Sequence, residues 1–163
     1  VNGAVSVRPA RSSDWAAVAA LLAELGRPAA LGAPEEPALR EVFEAYRTRA
    51  DAAALVAESG GRIIGFCDVE FRVRLNFVEP QAWVPDLIVT EAARGTGAGR
   101  ALLAEAERLA RERGCWGMTL ESAAWRTAAH AFYRHTGWTD AGLAFTKPLS
   151  DRVWPPPAPS GRS

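Results

Sequence analysis

The chain holds only two cysteines and two histidines, carries no formal net charge, and contains no long apolar run. Each scarcity excludes something. Cys67 and Cys115 lie far apart without metal-type spacing, and each sits inside an apolar stretch. Both therefore read as buried free thiols suited to a reducing compartment, not as a disulfide. With His130 and His135 as the only histidines and no Cys/His cluster, a metal site is not expected. Basic and acidic residues balance at 19 each, so no field of one sign advertises nucleic acid or an anionic membrane. The opening stretch VNGAVSVRPARSSDW has no apolar signal core, and nothing approaches the roughly 20 apolar residues of a membrane span. The expectation is a soluble, cytoplasmic protein without nucleic-acid or membrane partners.

What is present is a chain long enough for one domain with a real core. VSVRPA reads as a strand. In SSDWAAVAALLAELG, Ser12, Ser13 or Asp14 caps a helix whose apolar residues recur at helical spacing and which Gly26 closes. PALREVFEAYRTRA predicts a second amphipathic helix with Leu39, Val42, Phe43 and Tyr46 on one face. AALVAE, SGGR and IIGFCDVEFRV together make a hairpin signature. QAWVPDLIV is an apolar strand holding Pro85, which cannot donate a ladder hydrogen bond and so implies a bulge or interruption. A glycine segment, a long helix over about residues 99–113, a strand in CWGMTLES, a short helix in RTAAHAFYRHTG and a last strand or hairpin in GWTDAGLAFTKPL follow. No internal repeat is visible. The order predicts an α/β (α+β) three-layer domain around one mixed sheet, spanning residues 1–150, with a disordered proline-rich tail at 151–163.

The segment VTEAARGTGAGRALLAEAERL places Gly95, Gly97 and Gly99 at the start of the long helix, flanked by Arg94 and Arg100. A helix start carries N–H groups without intrahelical partners and a partial positive charge, so anions bind there. Glycine lets the backbone approach the anion closely, and the arginines add full charge. Two nucleotide fingerprints fail on counting. A P-loop needs a lysine that the segment lacks, and Thr96 is not where the metal-binding hydroxyl belongs. A dinucleotide motif needs a third glycine where Arg100 or Leu102 stands, although Glu121, at the end of the next strand, imitates the ribose-binding carboxylate.

Arg94-x-x-Gly97-x-Gly99, joining an apolar strand to an amphipathic helix, instead resembles the GCN5-related N-acetyltransferase (GNAT) superfamily. A second stretch, TAAHAFYRHTGW, is similar to that family's other signature through Ala129, Phe132, Tyr133, Gly137 and Trp138. The two motifs stand in the family's order and at its separation, and they cover roughly Pro85 to Trp138. The resemblance implies a mixed sheet splayed at its fourth strand with helices on both faces. It also implies acetyl transfer from acetyl-coenzyme A to a primary amine by direct attack within a ternary complex, without a metal.

Residue by residue, the resemblance places the pantetheine arm on the backbone of Leu87, Ile88 and Val89, as an added strand would lie. The pyrophosphate falls on Arg94, Gly95, Thr96, Gly97, Ala98, Gly99 and Arg100. Many relatives carry Asn where this chain has Arg126, which could reach a coenzyme phosphate from the stripe it shares with His130 and Tyr133. Tyr133 is the candidate acid for the departing thiolate. An acceptor amine must lose a proton before it attacks, and Asp86, Glu121 or water can take it. Glu35, Glu36 and Glu41 lie near the expected acceptor mouth, where they could steer a cation. The acceptor, a small-molecule or peptide amine, is not identified, and neither is the oligomeric state, although homodimers are common in that family. A non-catalytic acetyl-coenzyme A sensor is the alternative.

Overall fold

The structure is a computed structural model, and it describes residues 3–151. The chain divides into two compact units, Val1–Leu120 and Glu121–Ser163. The predicted tail, beyond Asp151, lies outside the described residues.

The first unit is built on one sheet. β1 (Ser6–Pro9), β2 (Ala52–Ser59) and β3 (Arg62–Arg72) pair antiparallel in sequence, and the Gly60–Gly61 turn joins β2 to β3. β4 (Gln81–Val84) and β5 (Leu87–Val89) are the two halves of the strand that holds Pro85, and both run antiparallel to β3. β6 (Gly117–Leu120) lies parallel to β4. The sheet is therefore mixed, in the order β1-β2-β3-β4-β6 with β5 on β3.

Strand alternation sends side chains to two opposite cores. On one face Leu55, Cys67, Val69, Ala82 and Val84 pack with Leu102, Ala106 and Ala110 of α3 (Ala98–Glu112). On the other, Ala54, Val56, Phe66 and Ile88 pack with α1 (Trp15–Leu25) and α2 (Glu36–Arg47). These are the three predicted layers. A buried ion cluster ties the first turns together: Arg8 donates to Asp14 Oδ2 at 2.6 Å and to Glu58 Oε1 at 2.6 Å. Asp14 was one candidate side-chain cap for α1, but its Oδ2 accepts the Arg11 N–H at 2.7 Å instead.

α2 carries one correction. Phe43 is buried and Leu39 and Tyr46 pack beside it, but Val42 is 62% exposed. One step of 100° moves it off the narrow stripe that the sheet covers.

Gly65 decides how closely two layers approach. A Cβ there would meet the Ile88 carbonyl oxygen at 3.0 Å and Leu102 Cδ1 at 3.1 Å. Both are tighter than most real contacts, so a side chain here would make β5 or Leu102 give way by a few tenths of an ångström.

The second unit holds α4 (Thr127–His135), which has no fully buried residue. Tyr133 rests edgewise between Phe132 and Trp138, with ring centroids 5.5 and 6.2 Å away. The expected last strand or hairpin in GWTDAGLAFTKPL does not form: no strand is found there, and Leu143 and Phe145 are exposed. A strand exists only through a ladder partner, and this stretch pairs with none among the described residues.

Candidate active site

Pro85 parts the fourth strand as its chemistry requires. Glu70 pairs with Trp83, and Cys67 pairs with Leu87. Three steps along β3 thus face four along β4 and β5, which leaves one extra residue on the proline strand: a β-bulge. Beyond it β4 keeps β6 as its neighbour, while β5 is laddered only to β3 among the described strands. Leu87, Ile88 and Val89 therefore present an edge without a strand partner.

The same run of chain continues into the glycine loop. A short turn over Glu91–Ala93 is followed by Gly95 and Gly97 at φ 80° and 88°, a region that side-chain-bearing residues avoid. Gly97 is the N-cap of α3, and its carbonyl accepts the Ala101 N–H at 2.9 Å. No side chain caps this helix. Among the described residues, the N–H groups of Gly95, Gly97, Ala98, Gly99 and Arg100 donate to no protein acceptor. Thr96 differs: its N–H and hydroxyl both turn back to the Ala93 carbonyl, at 3.4 and 2.7 Å. The Arg94 N–H is likewise used, by Glu91 O at 3.2 Å, so Arg94 offers the loop its guanidinium. Arg94 and Arg100 are exposed and form no ion pair among the described residues. Five bare donors, two unpaired cations and the positive end of a helix of 15 residues make a cradle for a polyanion.

On the α1/α2 face of the bulge stands a cluster that sequence reasoning only half located. Asp86 is nearly buried, and its Oδ1 accepts from Arg27 Nη2 at 2.7 Å and Nε at 3.0 Å. Its backbone N–H donates to Asp68 Oδ1 at 2.7 Å. Asp68, in mid-β3, is only 8% exposed. Burial first, then the charge of Asp86, pushes its carboxyl up to about 8, against the pull of the Asp86 N–H and of Arg27. The Tyr46 hydroxyl is buried beside Asp68, and burial and the charge of Asp68 push it upward as well. Trp83, opposite Glu70 on the same face, buries its indole N–H without an acceptor and lies under the Arg72 guanidinium at 3.3 Å. Nothing in FCDVEF announced Asp68 beyond an acidic residue at an alternating position.

The raised carboxyl has a consequence for stability. Folding favours protonated Asp68, so its contribution is complete below about pH 4 and is lost as pH rises toward 8. Stability of the native chain should fall across that interval relative to Asp68→Asn. Thermal melts at intervals from pH 4 to 9 check this: the gap between the two proteins should change with pH, and parallel curves would contradict the assignment.

The other candidates are placed as follows. Glu36 is committed to its own loop, accepting from the Gly32 N–H at 2.6 Å and Trp15 Nε1 at 3.2 Å, which holds its carboxyl below the usual range. Glu41, with Arg40 and Glu44, lines a groove of about 730 Å³ beside the α1–α2 loop, to which no residue of the bulge or glycine loop contributes. A second groove of about 480 Å³, lined by Glu24, Thr90, Glu91, Ala92 and Arg94, adjoins the cradle. Glu35 and Glu121 are exposed. Within the second unit, Arg126, His130 and Tyr133 share a half-buried stripe of α4, as their spacing predicts. Cys67 is buried and Cys115 half-buried, and both are free thiols. No group of three or more His, Cys, Asp or Glu placed to hold a metal occurs among the described residues, and no described helix is long and apolar enough to cross a membrane.

A sheet parted at a bulge, with a bare strand edge running into a helix start of free N–H groups, is the arrangement that the resemblance to acyl-coenzyme A-dependent transferases implies. The chain belongs to the acetyltransferase (GNAT) family, whose sequence pattern matches residues 16–138. It is 29% identical to the aminoglycoside N(6')-acetyltransferase type 1 of Stenotrophomonas maltophilia, over 91% of this chain and 97% of that one. It is 28% identical to the aminoalkylphosphonate N-acetyltransferase of Salmonella typhimurium, over 88% and 90%. Among solved structures, one described as a transcriptional regulator from Bacillus halodurans superposes with a TM-score of 0.80 at 26% identity, covering 89% of this chain and 99% of that one. The protein is accordingly an acetyl-coenzyme A-dependent N-acetyltransferase.

Proposed function

We propose that the chain acetylates a small, polar primary amine in the cytoplasm by direct attack within a ternary complex, with residues 1–150 acting as one acetyltransferase domain. The observation that carries this reading is the continuity of the bare β5 edge with the bare N–H groups of the glycine loop. A coenzyme A arm needs both, in that order: amide partners along its pantetheine and donors at its pyrophosphate. The donor set fits. Leu87–Val89 would hold the pantetheine, and Gly95 and Gly97–Arg100 the pyrophosphate, with the guanidinium of Arg94 alongside. Thr96 would shape the turn through its bond to Ala93, and Arg126 would add charge for a phosphate. Bound acetyl-coenzyme A supplies an activated thioester.

The acceptor side is read from the opposite face of the bulge. Asp86, paired with Arg27, and Glu70, paired with Arg49 and Arg72, line that face with charged groups of both signs, and Tyr46 and Trp83 give it aromatic surface. Such a lining offers a polar acceptor partners of either charge beside aromatic surface. The two curated relatives, one named for aminoglycosides and one for aminoalkylphosphonates, share a primary amine on a compact polar molecule. Asp86, held by Arg27, would orient the incoming ammonium and pass its proton outward, and Tyr133 would donate a proton to the departing thiolate.

The Tyr133→Phe variant tests the acid. A thiol of pKa near 8.5 is already a fair leaving group, so kcat should fall by about 10- to 100-fold, the low end for a lost general acid. The acetyl-coenzyme A dissociation constant, measured by calorimetry, should stay within about twofold, because one aromatic ring replaces another. Unchanged kcat at neutral pH would return Tyr133 to packing alone.

A further inference from the structure

The bulge at Pro85 is not shaped by a glycine, and its backbone cannot be satisfied by the ladder. Pro85 lacks an N–H, and the extra residue moves the Asp86 N–H off the alternating positions where β3 would offer a carbonyl. A buried N–H left without an acceptor would be destabilising. Asp68 removes that cost from both sides. Its Oδ1 accepts the Asp86 N–H at 2.7 Å, and its own N–H donates to the Asp86 carbonyl at 3.1 Å. Two bonds between one pair of residues fix the height and direction of the chain where β4 ends and β5 begins.

We propose that Asp68 is a positioning residue of acetyl transfer: its carboxyl group clamps the bulge, and through it sets the β5 edge for the coenzyme arm and the Asp86–Arg27 pair for the amine. The proposal rests on the acetyl-transfer reading above. Asp68 acts through Asp86 and not on substrate, because it is nearly buried and one of its oxygens is already engaged.

The charged and titratable groups around it come from every packed element. Asp86 lies across the bulge, Arg27 follows α1, the Tyr46 hydroxyl reaches in from α2, and the buried Cys67 thiol is next in β3. The facing position on β2 is Ala54, which has nothing to titrate. With a proton on Asp68, the pair holds one negative charge, matched by Arg27. Ionisation of Asp68 above about pH 8 places a second anion beside Asp86 and loads the clamp with repulsion.

The test compares the full-length native chain with Asp68→Asn and Asp68→Ala, using acetyl-coenzyme A and an amine that the native chain acetylates. The Asn variant keeps an acceptor oxygen, so at pH 7 its kcat and acetyl-coenzyme A KM should stay within about threefold of native. Native activity should fall above about pH 8, and that limb should be absent in the Asn variant. The Ala variant should lose about 10- to 100-fold in kcat/KM, the scale of a misplaced reacting group. Amide exchange at Asp86 gives a readout independent of turnover: slow in the native and Asn proteins, fast in Ala. Native constants in the Ala variant would overturn the proposal. So would an Asn variant as inactive as Ala, which would make Asp68 a proton acceptor. If Ala does not fold, an alkaline limb that persists in Asn overturns it. A native chain that binds no acetyl-coenzyme A would defeat the acetyl-transfer reading, while the exchange rates would still decide whether Asp68 holds the bulge.

Discussion

Replacing Gly97 with leucine is expected to abolish acetyl-coenzyme A binding while leaving a folded protein. Gly97 sits at φ 88° as the N-cap of α3, and no heavy atom lies within 4 Å of where its Cβ would stand. The substitution therefore meets no packed neighbour. Its structural cost is the left-handed backbone, about 1–2 kcal/mol for a residue with a side chain. The functional cost is larger. A side chain here stands among the bare N–H groups of Gly95 and Gly97–Arg100, where the pyrophosphate would have to lie. Losing two charge-assisted hydrogen bonds at about 1.5–3 kcal/mol each weakens binding by about 100-fold or more. Calorimetry with acetyl-coenzyme A, beside a thermal melt, checks both halves. Native affinity in the Gly97→Leu protein would refute the placement of the pyrophosphate.

Leu102→Ala should give the largest loss of stability in the chain. Leu102 is completely buried on the inner stripe of α3, directly beneath Gly65, whose missing Cβ makes room for it. Ala57, Val69, Ala82 and Val84 form the wall of the same core. Several of these neighbours are small, so the site cannot collapse to fill the space. Truncation should cost about 2–5 kcal/mol. For a chain of this size that lowers the melting temperature by about 5–15 °C. Because the proposed pyrophosphate cradle lies at the first turn of α3, coenzyme binding should weaken only after the helix loosens, at temperatures near the new midpoint. A melting temperature within about 2 °C of native would contradict the packing described here.

Which parts were legible in the sequence follows from what each part depends on. The glycine loop, the Gly60–Gly61 turn and the bulge at Pro85 obey local rules: a positive φ, a tight reversal, a missing N–H. The three layers followed from strand alternation and helical stripes, and only Val42 was read onto the wrong side. Asp68 was not legible. An acid between Cys67 and Val69 reads as a solvent-facing strand residue, and its burial depends on α2, on the bulge, and on Arg27, 41 residues earlier in the chain. Asp86 was found, but not its guanidinium partner, which changes it from a bare carboxylate into half of an ion pair. The strand or hairpin expected over residues 137–149 failed for a related reason: a strand needs a neighbour, and local composition does not supply one.

Family membership identifies the acetyl donor, which the proposal seats on the glycine loop and the β5 edge, while the charged and aromatic face of the bulge bears on the acceptor. The measurement that tests the account most directly is acetyl transfer across a panel of polyamines, aminoglycosides, aminoalkylphosphonates and peptide N-termini. It should follow both coenzyme A release and the acetylated product. The account predicts equimolar release and product with at least one primary amine of the panel. Tight acetyl-coenzyme A binding with no turnover on any amine would contradict it and leave a sensor in its place.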